Sequence, residues 1–333
     1  MSIIRLLVGV MLMLGVYSPA WARTYRVATT PWMGWAFLDV ASAKGFWKAE
    51  GLTVELLNFP DGTSYMDAQL AGLVDFSCGM VGDVVWLHTH QRPCRILLET
   101  DWSLGGDKFF LRKGRRLEDL GDSPLGLYQA RYALPFFLRK TLGASYRHLQ
   151  GTRPAVFTPE DLVAQFRAGR LDAGIICDPF AEQLGPDAVL LATSADVPGS
   201  LPECFFGTQD RVADTPPQDL ASLTRGIQRA MAWMQAPGNG AELFAIVRSH
   251  SFSAVQGFTA RDMAAQMRAA PSHPWPRLLA RNAPGGGLEA YLGELRAFLV
   301  KFDPSGARFK PGDLFEAKVA LGRLRAGSPA GPH

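Results

Sequence analysis

Short strand-like and helix-like segments alternate along the chain from residue 25, and this alternation limits the possible folds more than any other feature. Tyr25–Thr29 and Leu52–Asn58 have the apolar, alternating pattern of strands. Between them, residues 37–49 place apolar side chains at helical spacing, and Gly51 is typical of a residue that ends a helix. Strand–helix–strand units with short loops predict an α/β fold with a mainly parallel sheet.

The pattern is repeated often enough for two lobes. Strands predicted at 74–78 and 96–100 complete a first set, and a second set contains strands at 125–127, 171–177 and 188–192. The length of 333 residues also favours two domains. The predicted fold class is therefore α/β, with two lobes that each contain a mainly parallel sheet flanked by helices.

The last third of the chain is predicted to be mostly helical. Apolar residues recur every three or four positions in one long segment: Leu220, Leu223, Ile227, Met231 and Met234. Packing of this face against the first lobe is the preferred interpretation, and a partner-binding face is the alternative. Further helices are predicted near 239–249, 259–269, 288–302 and 312–324.

The N-terminus predicts export. Residues 1–22 contain one basic residue, then the apolar segment Leu6–Tyr17, and end in Ala-Trp-Ala, the small-residue site of a cleavable signal peptide. The apolar segment is shorter than the about 20 residues that span a bilayer, and an uncleaved anchor is the alternative interpretation. No later segment is a transmembrane candidate. The mature protein is expected to be soluble and periplasmic, with a disordered tail at 326–333.

Charge and cysteine spacing exclude further classes of function. The formal net charge is +3 and no long basic run occurs, so nucleic acid is not an expected partner. The four cysteines, Cys78, Cys94, Cys177 and Cys204, lack the C-x-x-C spacing of metal and redox sites. The sequence leaves open whether they form disulfides or remain free.

Enzyme motifs are missing as well. The sequence has no H-E-x-x-H, G-x-S-x-G or phosphate-loop pattern. His88 and His90 are two residues apart in a predicted helix and point in different directions, which argues against a shared metal. We expect no enzymatic activity, no cofactor and no metal.

Polar and aromatic residues gather where the predicted strands of the first lobe end. These clusters lie at 32–35, 61–64, 79–83 and 101–107. Because ligands of open α/β sheets bind outside the carboxyl ends of the strands, the clusters predict a binding site. The last cluster, DWSLGGD, also contains two glycines, which tolerate the backbone angles that a hinge requires.

Several stretches together resemble the nitrate/taurine/aliphatic-sulfonate class of ABC-transporter substrate-binding proteins, which also includes binders of thiamine-pyrimidine precursors. In order they are W-x-G at 32–34, AKGFWKAEGLTVEL at 43–56, QLAGLVDFS at 69–77, LETDWSLGGDKFF at 98–110, LEDLGDSPLGL at 117–127 and EDLVAQFRAGRLDAGIICDPFAEQL at 160–184. The order and spacing of these stretches carry the resemblance, which extends over residues 24–210.

The resemblance implies a type II periplasmic-binding-protein fold, in which two chain crossings join the lobes and a solute is held in the cleft between them. The crossings are expected near Thr100–Lys108 and Ala192–Leu201. The implied division is a first lobe at 23–103, a second lobe at 104–195, and a return to the first lobe with C-terminal helices at 196–325.

The function implied by the resemblance is delivery of a small nitrogen- or sulfur-containing solute to an ABC permease by a monomeric binding protein. A sensory binding protein for a membrane receptor has the same kind of cleft and is one alternative. A pyrimidine-precursor-synthase-like enzyme is the other, but that activity is associated with a cysteine-rich loop, which this chain lacks.

The candidate ligand-binding residues are Trp32, Gly34, Trp35, Thr63, Ser64, Gly82, Asp83, Asp101, Trp102, Asp107, Tyr128, Tyr132, Asp178 and Phe180. Aromatic rings and carboxylates together favour an amine, an amidine or a pyrimidine-like ligand. A sulfonate or nitrate instead needs basic side chains or helix N-terminal amides, which Thr63, Ser64 and Gly82 are placed to provide. Asp83 and Asp178 have an alternative role as helix caps or turn formers.

Overall fold

The computed structural model describes residues 23–60, 62–129 and 131–326. The predicted signal peptide at 1–22 lies outside the described residues, and so does the predicted tail from 327 onward. Ala326, the first residue of the predicted tail, is instead the last residue of a helix. In the described part of the chain, no helix combines the length and the apolar character that are needed to cross a membrane.

Five strands form the sheet of the first lobe: β1 (Thr24–Thr29), β2 (Thr53–Asn58), β3 (Phe76–Met80), β4 (Cys94–Trp102) and β10 (Pro202–Thr208). Their spatial order is β2-β1-β3-β10-β4. β1 pairs in parallel with β2 and β3, and β10 runs antiparallel between β3 and β4. The first four strands therefore share one direction, and β10 opposes them.

The sheet of the second lobe has the same composition: β5 (Asp107–Arg112), β6 (Pro124–Leu127), β7 (Arg153–Val156), β8 (Ala173–Cys177) and β9 (Ala188–Thr193). Their order is β7-β6-β8-β5-β9. β6 is parallel to β7 and β8, while β5 is antiparallel to β8 and β9. Here β5 is the strand that opposes the other four.

The chain passes between the two sheets twice. It leaves the first sheet at Trp102 and enters the second at Asp107, and it returns between Thr193 and Pro202. The strand that follows each crossing is the antiparallel strand of its sheet. This arrangement confirms the predicted two-lobed α/β fold with mainly parallel sheets.

Helices connect most of the strands and form the C-terminal part of the chain. In chain order they are α1 (Ala36–Ala43), α2 (Phe46–Ala49), α3 (Gly62–Leu70), α4 (Val81–His90), α5 (Ala133–Leu142), α6 (Pro159–Arg167), α7 (Gln209–Ala213), α8 (Pro217–Gln235), α9 (Gly240–Ser249), α10 (Ala260–Ala269), α11 (Trp275–Asn282), α12 (Gly287–Phe302), α13 (Pro311–Leu314) and α14 (Ala317–Ala326). Short 3-10 segments lie at Met33–Trp35, Leu117–Asp119, Gly143–Leu149 and Phe180–Leu184.

Several elements differ from the sequence-based expectation. The helix predicted at 37–49 is divided into α1 and α2 because Gly45 adopts a left-handed conformation with φ +65°. The helix predicted at 312–324 is likewise divided into α13 and α14. The strands β7 and β10 and the helix α11 were not predicted. A proline lies in the first turn of α11, a position that is compatible with a helix.

The apolar stripe of α8 packs into the first lobe, as predicted. Leu223 and Ile227 are fully buried there. Trp47 of α2 lies against the same helix, and its Nε1 donates a hydrogen bond to the carbonyl oxygen of Leu223 at 3.0 Å. Gly226 faces this indole so closely that a Cβ would lie 2.1 Å from Trp47 Cδ1. The contact between α2 and α8 therefore requires glycine at this position.

We expect Gly226→Ala to lower the free energy of unfolding by about 1–3 kcal/mol, because the added methyl group overlaps a buried ring. Gly293→Ala is the matched control, since Gly293 is an exposed position of α12 where a Cβ meets nothing within 4 Å. That change should be neutral or stabilising by up to about 1 kcal/mol. Urea denaturation measures both effects, and a Gly226→Ala variant as stable as the wild type would contradict this packing.

Candidate functional site

Four buried carboxyl groups meet where the two lobes face each other. Asp83, Asp101 and Glu203 belong to the first lobe and Asp107 to the second, and each is at most 1% exposed. We call these four residues the cleft acids. Their charges act on one another across the lobe boundary, because Asp107 influences both Glu203 and Asp83. The two lobes therefore meet at a strongly acidic site.

Asp101 and Glu203 form a side-by-side pair. They lie directly opposite each other on the antiparallel strands β4 and β10, with their side chains on the same face of the sheet. Glu203 Oε2 accepts a hydrogen bond from Trp32 Nε1 at 2.9 Å. Neither carboxyl oxygen of Asp101 has a hydrogen bond of ordinary geometry, although the side chains of Glu203 and Thr100 lie close enough to influence its pKa.

Burial makes the ionised form of this pair unfavourable. It raises the pKa of Glu203 to about 8, and the nearby charge of Asp107 adds to the effect. Burial also raises the pKa of Asp101 well above its ordinary value, followed by the charge of Glu203. The two carboxyl groups therefore hold at least one proton between them at neutral pH.

A β-bulge at Thr100 determines which side chains of β4 face the cleft. Glu203 pairs with Asp101 and Cys204 pairs with Glu99, so Thr100 is an extra residue on β4. Without the bulge, alternation would place Glu99 and Asp101 on the same face. With it, Glu99 faces the opposite side of the sheet from Asp101.

On that opposite side, Glu99 is fully compensated. It accepts hydrogen bonds from Arg281 at 2.6 and 2.9 Å and lies 3.0 Å from His273 Nε2. The indole of Trp102 packs on the same group, 4.7 Å from the His273 ring and 5.2 Å from the guanidinium of Arg281. The side chain of Trp102, a predicted ligand-binding residue, thus packs against His273 and α11, on the opposite face of β4 from Asp101.

Aromatic rings line the first-lobe side of the acid pair. The ring of Trp32 lies between Gly34 and Gly106. A Cβ added at Gly34 would lie 2.6 Å from Trp32 Nε1, and one added at Gly106 would lie 2.7 Å from Trp32 Cη2. At Gly34 the same Cβ would be 3.2 Å from Asp101 Oδ2, so the backbone approaches the carboxyl group closely. Trp35 is buried and meets Tyr65 edge-to-face at 5.7 Å, and its indole N–H acts on Glu203 and lowers the pKa of that carboxyl group.

The second lobe contributes Asp107 at the start of β5. Its Oδ1 accepts a short hydrogen bond from the hydroxyl of Tyr128, and its Oδ2 has no donor. Its backbone N donates to Ser103 Oγ at 3.1 Å, and the hydroxyl groups of Ser103 and Ser194 are 2.7 Å apart. Because these serines lie on the two crossings, they fix Asp107 to the hinge. Burial raises the pKa of Asp107.

Asp83 lies where two helix N-termini meet across the cleft. At Gly82, in the first turn of α4, a Cβ would be 2.7 Å from the N and Cα atoms of Ala133, the first residue of α5. Asp83 Oδ1 accepts a hydrogen bond from Ala133 N at 3.2 Å, and Oδ2 has no donor. Burial raises the pKa of Asp83 to about 6. The carboxyl group therefore occupies the place at the N-terminus of α5 where an anion would be favoured.

The remaining predicted residues lie at the edge of the cleft or outside it. Asp178 forms an ion pair with Lys108, and Phe180 packs against the core of the second lobe. Tyr132 is buried in the core of the first lobe, with its hydroxyl bonded to Asp303. Thr63 is exposed and Ser64 half-buried in the first turn of α3. Phe180, Tyr132, Thr63 and Ser64 are therefore not grouped with the cleft acids, whereas Asp178 acts on Asp107 from the edge of the cleft.

Sequence reasoning missed several members of the site. Glu203 lies on the unpredicted strand β10, and a lone acidic residue within the apolar run LPECFFGT (201–208) was the available signal. Tyr65 is buried, its hydroxyl has no partner, and Asp83 and Glu203 contribute to raising its pKa. Arg131 lies 3.9 Å above the ring of Trp86, and its charge lowers the pKa of Asp83.

The potential metal-ligating side chains and the cysteines bear on two of the sequence-based expectations. Across 23–60, 62–129 and 131–326, no group of three or more His, Cys, Asp or Glu side chains is arranged to hold a metal ion. The four cysteines are free thiols. The alternative of free cysteines, left open by the sequence, is therefore the one that the structure supports.

Sequence comparisons point to binding proteins. Residues 149–248 match the model of the NMT1-like family. A curated protein of Brucella abortus, whose name describes it only as a binding protein, is 25% identical over 191 residues, which cover 55% of this chain and 58% of that protein. The chain thus spans little more than half the length of the curated relatives it matches.

Solved structures share the fold over nearly the whole chain. The ligand-binding component of an ABC-type import system from Staphylococcus aureus has a TM-score of 0.67 at 14% identity, covering 90% of this chain and 98% of that one. The periplasmic nitrate-binding protein NrtA from Synechocystis also has a TM-score of 0.67 at 14% identity, with 93% and 91% covered. The fold is that of periplasmic binding proteins, and the findings support the resemblance to the nitrate, taurine and sulfonate class.

We expect the free energy of unfolding to fall as pH rises from about 5 to about 8. Folding raises the pKa of Glu203 to about 8. The stabilising contribution of Glu203 is therefore complete below the pKa that it has in the unfolded chain. It is lost as pH rises through the pKa that it has in the folded protein. Such a group changes the free energy by about 1.4 kcal/mol per pH unit between these two values. Glu203→Gln should remove this part of the slope, as measured by urea denaturation across the range.

Asp39→Asn is the control for this experiment. Asp39 is buried beside Ser251 outside the cleft, and burial raises its pKa to about 7. In the control variant, the free energy of unfolding should still decline above about pH 7, because Glu203 causes that decline. Parallel stability curves for the wild type and Glu203→Gln would show that Glu203 is ionised in the folded protein.

Proposed function

We propose that this chain is the solute-binding component of an ABC importer, which is exported through its N-terminal signal peptide, captures a small solute between its lobes and delivers it to a membrane permease. The fold shared with import-system binding proteins supports the general role. In this proposal the protein acts as a monomer, without enzymatic activity and without a cofactor.

One observation carries the proposal: polar groups from both lobes converge on a buried site and remain incompletely bonded. Asp83 and Asp101 from the first lobe, and Asp107 from the second, each have at least one carboxyl oxygen without a donor. Buried polar atoms are almost always hydrogen-bonded, so such a group is expected where a ligand supplies the missing partners. Because both lobes contribute, a solute there would stabilise the closed form.

The chemistry of the site favours a nitrogen-containing solute, such as an amine, an amidine or a pyrimidine-like compound. Carboxylates accept hydrogen bonds from N–H groups, and the Trp32 and Trp35 rings suit a flat or cationic group. A sulfonate or nitrate is disfavoured because Asp83 already occupies the N-terminus of α5. The ligand-binding residues that we propose are therefore Trp32, Gly34, Trp35, Gly82, Asp83, Asp101, Asp107 and Tyr128.

Ligand binding should stabilise and compact the protein. We suggest a thermal-shift screen against small amines, amidines, pyrimidines, sulfonates and inorganic anions. A solute at 100 times its dissociation constant should add about 2.7 kcal/mol to the free energy of unfolding. Small-angle scattering should then show a smaller radius of gyration with the solute than without it, because the lobes close. Stoichiometric binding without product formation would separate this function from the enzyme alternative.

We expect Trp32→Ala to weaken binding of the identified solute at least about tenfold, a loss of about 1.4 kcal/mol, because the ring lies on the acid pair. Trp275→Ala is the matched control, since Trp275 is a partly buried tryptophan of the first lobe at the start of α11. It should leave the affinity unchanged. Calorimetry measures both, and equal affinity of Trp32→Ala and the wild type would move the site elsewhere.

A further inference from the structure

The acid pair on β4 and β10 consists of two buried carboxyl groups whose negative charge is not neutralised by a bonded cation. The side chains that act on Asp101 and Glu203 from the surrounding elements are acidic or neutral: Glu99 on β4, Cys78 on β3, Cys204 on β10, Tyr65 on α3, Asp107 on β5, Tyr128 after β6, and Trp32 and Trp35 before α1. None of these groups is a cation. The pair is therefore buried without a positive partner from the groups that face it.

Most of the nearby basic side chains are bonded to other acids. Lys108 is bonded to Asp178 at the edge of the cleft. His273 and Arg281 are bonded to Glu99 on the other face of the sheet. Arg131 lies over Trp86 and its charge lowers the pKa of Asp83, while its Nη1 has no hydrogen-bond partner. Among the described residues, no cationic side chain is bonded to the pair, so the pair can accept a positive charge from a ligand.

We propose, on the basis of the function proposed above, that Asp101 and Glu203 share one proton in the ligand-free cleft and that a cationic nitrogen of the solute takes the place of this proton. The shared proton supplies the donor that the oxygens of Asp101 otherwise lack. The solute is then an ammonium or amidinium compound, and its charged group contacts both carboxyl groups.

The exchange conserves the buried charge. Before binding, the pair carries one proton and one negative charge. After binding, both carboxyl groups are ionised, the solute keeps its own proton and its positive charge, and the displaced proton leaves to the solvent. The net charge of pair plus occupant is the same in both states, so closure over the ligand buries no additional net charge.

The exchange also links affinity to pH. Because one proton is released for each cation bound, affinity should rise roughly tenfold per pH unit below the pKa of the pair and become constant above it. Since burial raises the pKa values of both Asp101 and Glu203, the rise should extend over the neutral range.

Two matched sets of probes test the charge of the ligand. Benzamidine, benzamide and benzenesulfonate have similar shapes and carry a positive, zero or negative charge, as do butylammonium, butanol and butanesulfonate. We expect the cation of at least one set to raise the melting temperature and to compact the protein, and its neutral and anionic counterparts to do neither. Calorimetry of that cation in buffers of different ionisation enthalpy should show release of about one proton per site.

Variants separate the pair from the rest of the cleft. Glu203→Gln keeps an acceptor for Trp32 and leaves Asp101 as a single buried carboxyl group. The pH range in which cation binding releases a proton should then move to lower pH, because the charge of Glu203 no longer raises the pKa of Asp101. The double variant Asp101→Asn/Glu203→Gln is uncharged and should lose its preference for the cation over the neutral compound. Asp39→Asn, a buried acid outside the cleft, should retain both the affinity and the proton release.

Each result decides a different part of the inference. A cation that binds without proton release, or with the same pH dependence in Glu203→Gln, overturns the shared proton. Tighter binding of a neutral or anionic solute, from these sets or from the wider screen, overturns the positive charge of the ligand and leaves the solute-binding function intact. If no solute in either screen compacts the protein, the solute-binding function is itself wrong, and this inference with it.

Discussion

The direction of the two crossing strands is the constraint on which the site depends. In each sheet, the strand that follows a crossing is antiparallel to the other four, so it begins at the edge where they end. β5 begins with Asp107 beside Cys177 at the end of β8, and β10 brings Glu203 opposite Asp101 near the end of β4. A parallel arrangement would bring these acids into their sheets at the far edge. The topology therefore delivers acidic side chains from both crossings to the cleft.

Such a concentration of buried acid is unfavourable for folding, and the rest of the molecule has to compensate for it. Removing carboxyl groups from water disfavours their charged form, which is why the pKa values of all four cleft acids are raised. The apolar cores of the two lobes and the α2–α8 contact supply stability at a distance from the cleft. A site of this kind is maintained by its surroundings and does not contribute to stability itself.

The sequence was informative about the fold because each strand–helix unit is encoded locally. Apolar spacing and the glycines that end helices identified most strands and helices of both lobes. The same reasoning selected Asp83, Asp101, Asp107 and Trp32 as candidates, because each follows a recognisable strand or lies at one of the predicted crossings, and the structure places them together where the lobes meet. It failed at β10, where all seven residues are buried and the alternation that marks a half-buried strand is absent. It also grouped Asp101 with Trp102, although consecutive strand residues point to opposite faces of the sheet, and Trp102 packs against His273 and Arg281.

The position of Asp83 explains why a fold with two opposed helix N-termini need not favour an anion. The N-terminus of α5 offers backbone N–H groups and a partial positive charge to the cleft, which is the usual basis for binding an oxyanion. Here Gly82 lets α4 approach so closely that its own carboxylate reaches Ala133 N. An incoming anion would have to displace Asp83 and then lie among Asp101, Asp107 and Glu203, whose charges repel it. The scaffold thus sets where a ligand lies, while the side chains at the strand and helix ends set its charge.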